Sequence, residues 1–368
     1  MPGGRARGGA GGGEARRRDR LLLARAASHR PQSEGGNGAQ GVHPAICARR
    51  RRGDQGRPAH PAGRSRAPVS HPRGRPAAVN AGELAGYAAA FRRDGFVHVP
   101  GVLSAEELAR YGEAVDEAVA SRKAGDTRRL DEKSPYEQSF MQCQYIWEDF
   151  PAVRPLTFHP KIGELTAALL GANKVRLWHD QALYKEAGGR ETEAHQDQPY
   201  WPIAEADTAT VWIPFAATSD ETGCMGYVPG SHKGEAEFID IFGTPGDGKR
   251  LEERYADTPP VFVHCEPGDV IFHHGFTTHM AKANRSDRTR RVYTAIYFAD
   301  GSHRGGERPH PSVDRDGIAI GDVIDGGATP VVWPLEGGRM PEPEPWPEMG
   351  MEWRERAERL GIIPRRAG

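Results

Sequence analysis

Apolar positions along the chain recur first at helical spacing and later as short strand-like runs. Asn80, with Glu83 three residues on, has the form of a capping box; Leu84, Tyr87, Ala88 and Phe91 then share one helix face, and Gly95 stops it. Phe96 to Val99 is a strand-like run closed by Pro100 and Gly101. Ser104 and Glu107 form a second capping box under the apolar pair Leu103 and Leu108, and Leu108, Tyr111, Val115 and Val119 line the helix that follows. A third helix fits Ile162 to Leu170 and ends at Gly171. From about residue 175 the runs shorten: Val175 to Trp178, Ala182 to Tyr184, Thr210 to Phe215, Val261 to His264, Val270 to Phe272 and Val292 to Phe298 read as strands. Glu266-Pro-Gly-Asp269 turns the chain between two of them, because proline presets φ and glycine supplies the unusual backbone conformation. Helices first and many short strands later predict an α+β protein, a jelly-roll or similar double-sheet core with flanking N-terminal helices. No internal repeat interrupts that plan.

The two ends lack the pattern. Residues 1–78 are dominated by Arg, Gly, Ala and Pro and bury too little apolar surface to offset the entropy of ordering, so a disordered head is expected there. The folded domain is expected over 79–300. Residues 301–368 turn Pro- and Gly-rich, with one amphipathic piece from Trp353 to Leu360, and are expected to form a C-terminal extension, either tail or lid. The head lowers the hydrophobic content to 37% over 368 residues. Its Arg-rich, acid-poor composition also suits a transit peptide, but it lacks the amphipathic period of one.

A net charge of −1 argues against nucleic acid or an anionic membrane as partner. No apolar run approaches the ~20 residues a membrane span needs. The four cysteines, Cys47, Cys143, Cys224 and Cys265, have no paired or metal-like spacing, as expected for reduced thiols in a cytoplasmic protein. These features favour a soluble protein acting on a small molecule and leave its oligomeric state open.

Glu193-Ala-His195-Gln-Asp197 sets a histidine and an aspartate two apart, so in a strand both side chains leave one face and can grip one ion. In a chain with fifteen histidines that triplet is weak by itself. His279, downstream of a Gly-Asp turn and the strand Val270 to Phe272, offers a third ligand. Two histidines and one carboxylate leave three positions of an octahedral ion open, the facial triad of non-haem Fe(II) oxygenases. A zinc or manganese hydrolase using the same three residues stays open at this point. His273 and His274 are read as packing or supporting groups beside the ligand.

Four segments in order resemble the phytanoyl-CoA dioxygenase family. They are Asp94 to Ser104, Thr192-Glu-Ala-His-Gln-Asp-Gln-Pro-Tyr-Trp201, Gly223-Cys-Met-Gly-Tyr-Val-Pro-Gly-Ser-His-Lys233, and His279 through Arg291. The resemblance spans roughly residues 84 to 300. It implies a double-stranded β-helix, Fe(II), and 2-oxoglutarate and O2 as co-substrates, with hydroxylation of a small molecule and release of succinate and CO2. It also implies that His195, Asp197 and His279 bind the metal and that Arg290 pairs with the distal carboxylate of 2-oxoglutarate. Arg291 is the competitor, since the two alternate across a strand and one alone points inward. Gln181, Lys185 and Trp212 match positions that contact the co-substrate. Tyr145, Trp147, Tyr200 and Trp201 are candidate substrate walls. One departure stands out: Met280 and Ala281 follow the distal histidine where many members carry Gly and Ser.

Overall fold

The structure, a computed structural model, describes residues 80–346 together with 355, 357, 358 and 361–363. The expected disordered head and most of the Trp353 to Leu360 piece lie outside the described residues.

Three long helices precede and flank the sheets: α1 (Ala81–Asp94), α2 (Ala105–Lys123) and α3 (Pro160–Leu170). Asn80 and Ser104 cap α1 and α2 through the capping boxes read from the sequence. Gly95 ends α1 at φ 83°, where a side chain would stand 2.4 Å from Thr277 Oγ1, so only glycine fits.

The strands form two antiparallel sheets. In the larger, β1 (Phe96–Val99), β8 (Val270–His274), β5 (Thr208–Pro214), β10 (Val292–Ala299), β3 (Val175–Tyr184) and β11 (Val331–Trp333) are neighbours in that order, and β2 (Met141–Gln144) also pairs with β3. In the smaller, the order is β4 (Thr192–His195), β9 (His279–Ala281), β6 (Met225–Tyr227) and β7 (Val261–Val263). This is the double-sheet α+β core expected. The main core lies between the helices and one face of the large sheet, where Val115, Leu156, Ile162, Val211, Tyr293 and Ala295 are buried. That burial, and not helix propensity, is what holds short helices in place.

The structure alters the sequence reading in three places. Val175 to Trp178 and Ala182 to Tyr184 belong to one strand, β3, because polar His179, Asp180 and Gln181 continue the ladder against β10. Trp178 is an extra residue there: Ile296 faces His179 while Tyr297 faces Leu177. The short strands β4, β6 and β9 have no apolar run to mark them: Thr192–His195, Met225–Tyr227 and His279–Ala281 each mix polar or glycine positions with apolar ones. Beyond Gly301, β11 joins the large sheet, and Val313 and Ile324 are buried with Trp178, Ile296 and Phe298.

Candidate functional site

His195 closes β4 and His279 opens β9, and the two strands pair with these residues directly opposite. Asp197 is not on the strand. Its backbone has turned helical, φ −77° and ψ −44°, at the start of the Gln198–Tyr200 turn, so strand alternation does not bring it to His195; the turn does. Ligand-type atoms of all three residues lie within 4.8 Å of one another. Asp197 Oδ1 is 3.6 Å from the Nε2 of both His195 and His279.

Each histidine is oriented from behind. His195 Nδ1 is 2.8 Å from the Glu193 carbonyl and His279 Nδ1 3.0 Å from that of Thr277. A carbonyl can only accept, so Nδ1 carries the proton and Nε2 turns its lone pair to the centre. Burial holds both imidazoles neutral, at about 4. Burial would raise the Asp197 carboxyl, but His279, His273 and His195 outweigh it and keep the group well below the usual carboxylate range. Two neutral nitrogen donors and one carboxylate suit a divalent cation with open positions. The other oxygen, Asp197 Oδ2, accepts from Thr210 Oγ1 and His273 Nε2, both at 3.1 Å. Sequence reasoning left Thr210 out, although it lies two residues before Trp212 on the same strand and so shares its face.

Two basic side chains, Lys185 and Arg290, are also buried. Lys185 and Arg290 exchange backbone hydrogen bonds of 2.9 and 2.8 Å, and both side chains are buried. Arg290 donates from Nη1 to the Gly223 carbonyl, stands 5.5 Å from the Trp212 ring, and leaves Nε without a partner. Lys185 donates to the Arg190 carbonyl and to Thr192 Oγ1. Among the described residues neither forms an ion pair with a carboxylate. Burial lowers Arg290 to about 10; burial and then Arg290 lower Lys185 to about 6. Arg291 points the other way and pairs with Asp116 on α2, both about two-fifths exposed.

Gln181 lies on β3 within a row of amides, its Oε1 accepting from Gln142 Nε2 at 2.6 Å, while Gln142 Oε1 accepts from the Tyr136 hydroxyl at 2.9 Å. His179, two positions earlier on that face, is neutral at about 4 because it is buried, and it is near enough to feel the Asp197 charge. Trp201 is 6.4 Å from His179, and the Tyr200 ring is 6.4 Å from that of His195. Tyr145 is 5.4 Å from His179, in left-handed backbone at φ 54°, with its hydroxyl 2.9 Å from Ser312 Oγ. Trp147 does not join them. It packs edge-on against Phe158 at 5.2 Å in the core beneath the helices, with its backbone N–H on Asp180. Two residues after Tyr145, its side chain lies in a different cluster from that of Tyr145.

The sequence model of the phytanoyl-CoA dioxygenase family matches residues 91–292. A phytanoyl-CoA dioxygenase domain-containing protein 1 homolog of Caenorhabditis briggsae is 29% identical over 158 residues, 39% of this chain and 53% of that protein, so the match spans about half the relative's length. A probable alpha-ketoglutarate-dependent hypophosphite dioxygenase of Stutzerimonas stutzeri is 26% identical over 223 residues, covering 56% and 75%. Among solved structures, the non-heme alpha-ketoglutarate-dependent carbocyclase SnoK from nogalamycin biosynthesis is 28% identical over 67% of this chain and 95% of its own, with a TM-score of 0.57. The epimerase SnoN, solved in complex with Fe3+, alpha ketoglutarate and nogalamycin RO, is 29% identical over 69% and 100%, with a TM-score of 0.56.

Proposed function

The chain belongs to the phytanoyl-CoA dioxygenase family, and on that premise we propose that it is an Fe(II)- and 2-oxoglutarate-dependent oxygenase that hydroxylates a small molecule. The observation that carries this reading is the pairing of a His195, Asp197, His279 ligand set with a buried cation, Arg290, and a buried lysine, Lys185, neither of which has a carboxylate partner among the described residues. An uncompensated buried cation is costly unless a ligand supplies the counter-charge. A dicarboxylate does so. A zinc or manganese hydrolase on the same ligands has no use for either side chain.

In this reading His195, Asp197 and His279 hold the iron, and the carboxylate charge favours retention of the divalent ion. Arg290 meets the distal carboxylate of 2-oxoglutarate with its planar fork. Trp212 walls that pocket, Lys185 adds a second positive charge, and Gln181 offers an amide. Ferrous iron bound with 2-oxoglutarate supplies oxidising chemistry that places one oxygen atom of O2 in succinate and the other in the product, with loss of CO2. The chain's own contribution is orientation and dryness: Thr210 and His273 fix Asp197, and Tyr145, Tyr200 and Trp201 line the side where a substrate enters.

Asp197 fills the position that a halide would need, which favours oxygen insertion over halogen transfer. SnoK and SnoN are named as carbocyclase and epimerase, so similar structures serve more than one outcome, and hydroxylation is argued here from the site. The described cysteines Cys143, Cys224 and Cys265 are free, in keeping with a cytoplasmic setting, and among the described residues no helix is long and apolar enough to cross a membrane. Succinate release stimulated by candidate substrates, followed by mass spectrometry under labelled oxygen gas, tests the proposal. One labelled atom in the product per succinate, unchanged by chloride, is the expected result; turnover without O2 or 2-oxoglutarate refutes it.

A further inference from the structure

The motif that carries His195 and Asp197 has other polar side chains, among them Glu193, Gln196 and Tyr200. All three grip the same stretch of chain. Gln196 Oε1 accepts from the Glu237 backbone N–H at 2.8 Å, and the Tyr200 hydroxyl donates to the Ile239 carbonyl. Glu193 accepts from the N–H of Gly246 at 2.7 Å and of Gly248 at 3.1 Å. Residues 237–248 are thereby strapped along β4, the edge strand of the small sheet, whose outer side would otherwise be open.

The strap is built to lie close. At Gly248 an added Cβ would stand 2.8 Å from the Ala194 carbonyl and from Glu193 Cβ, so a side chain would lift it off. Ile239 and Leu251 are wholly buried against Ala194. Asp240 ties its own turn, accepting from Gly243 N–H at 3.0 Å and from Thr244 Oγ1 at 3.0 Å. Two residues on this pinned segment behave differently. Phe238 and Phe242 are 40% and 45% exposed, against the expectation for large apolar rings. They meet the rings that lead toward the metal ligands: Phe238 is 5.1 Å and Phe242 5.7 Å from Tyr200, and Phe242 is 4.4 Å from Tyr136.

We propose that residues 237–248 form the outer wall of the substrate site, that Glu193, Gln196 and Tyr200 fasten this wall to the ligand motif, and that Phe238 and Phe242 select a substrate carrying a flat apolar ring. The proposal rests on the oxygenase reading above. It accounts for two exposed rings on a segment whose Ile239 is wholly buried and whose Phe238 already carries the Arg308 guanidinium 4.6 Å away: a planar ring can stack on the rest of their surface.

Two measurements on the full chain test it. Umbelliferone, a flat fluorescent ring compound, is titrated into wild type and into Phe238→Leu/Phe242→Leu, which keeps apolar bulk but removes the rings. The double variant should bind it roughly tenfold more weakly, with the visible absorption of the ferrous 2-oxoglutarate complex unchanged. Unchanged affinity, or no binding by wild type, overturns the ring-selecting wall. Hydrogen exchange then reads the fastening: in Glu193→Ala the Gly246 and Gly248 amides should exchange at least about tenfold faster, with Glu193→Gln between it and wild type. Equal exchange in all three overturns the fastening. If wild type forms no ferrous 2-oxoglutarate absorption at all, the oxygenase reading fails, while both measurements still report on the wall.

Discussion

Arg290 offers the sharpest test of the co-substrate pocket. Its guanidinium is buried, has one backbone acceptor in Gly223, and leaves Nε unpaired. Removing one member of a buried ion pair costs ~3–5 kcal/mol, and each ~1.4 kcal/mol is tenfold in affinity. Arg290→Met should therefore raise the Kd for 2-oxoglutarate by roughly 100- to 4,000-fold. Arg291 faces Asp116 at the surface instead, and Arg291→Ala should leave that Kd unchanged within about a factor of two, as for distant independent sites.

The ligand-free state makes the prediction stricter. With no carboxylate beside it, Arg290 is a desolvated cation, so Arg290→Met should not lower the melting temperature of the ligand-free protein. Saturating wild type at 100 times its Kd should add ~2.7 kcal/mol of stability; the same concentration should add only about 0.4 kcal/mol to a variant whose Kd has risen 100-fold. Calorimetric titration of anaerobic Fe(II) protein and paired thermal melts measure both. A greater loss of affinity in Arg291→Ala, or a ligand-free Arg290→Met that melts far below wild type while binding 2-oxoglutarate normally, would refute the reasoning.

Three other outcomes follow. Lys185, lowered to about 6 by burial and Arg290, is largely neutral at pH 8 without ligand; a carboxylate beside it would restore the proton, so 2-oxoglutarate binding should take up close to one proton at pH 8 and progressively less below pH 6. Titration in buffers of different ionisation enthalpy detects this, and zero uptake at pH 8 removes Lys185 from the pocket. Asp180 is pushed up to about 8 by burial, with Trp147 N–H and the Tyr293 hydroxyl on one oxygen and, among the described residues, no hydrogen-bond partner on the other. Its folded pKa exceeds the unfolded one, so its contribution is full below about 3.8 and is lost as pH rises through about 8; Asp180→Asn should accordingly raise the melting temperature more at pH 8 than at pH 5, and the reverse order contradicts the sign. Glu148 and Arg315 form a 2.7 Å pair with side chains 2% and 5% exposed. Glu148→Ala should cost ~3–5 kcal/mol by stranding Arg315, whereas Glu148→Met/Arg315→Met should recover most of it in a thermal melt.

How far the fold was legible depended on the length over which a pattern could repeat. The helices α1 and α2 announced themselves through caps and four apolar positions each, because capping and one-sided burial are local constraints that the sequence must satisfy within a few residues. Strands β5, β8 and β10 showed as apolar runs since they are buried on both faces. Of the small sheet only β7 showed, as the apolar run from Val261; β4, β6 and β9 did not, because they are specified by partners far away: β9 by His195 on one side and Tyr227 on the other. His279, the third member of the cluster, was reached from spacing and resemblance, not from any strand pattern around it.

The site exposes the same limit from another direction. Alternation required that only one of Arg290 and Arg291 point inward, and the resemblance, with the spacing from His279, chose Arg290; Arg291 pairs with Asp116 while Arg290 is buried on the Gly223 carbonyl. Alternation also suggested a reason for His195 and Asp197 to converge, and the backbone takes a different one: the chain leaves the strand after His195 and turns Asp197 back under Thr210 and His273. Trp147 fails for a related cause. Tyr145 in left-handed backbone reverses which side its successors occupy, and nothing in an aromatic residue's identity signals a positive φ. The motif around His195 thus serves two structures at once, with His195 and Asp197 facing the metal position while Glu193, Gln196 and Tyr200 hold a distant segment. A change at Glu193 or Tyr200 should therefore alter the shape of the substrate wall before it alters the ligand set, because their side-chain bonds run outward to backbone amides and a carbonyl, whereas Gln196 also donates to the Phe276 carbonyl at 2.8 Å, in the loop that leads to His279, so a change there should disturb both.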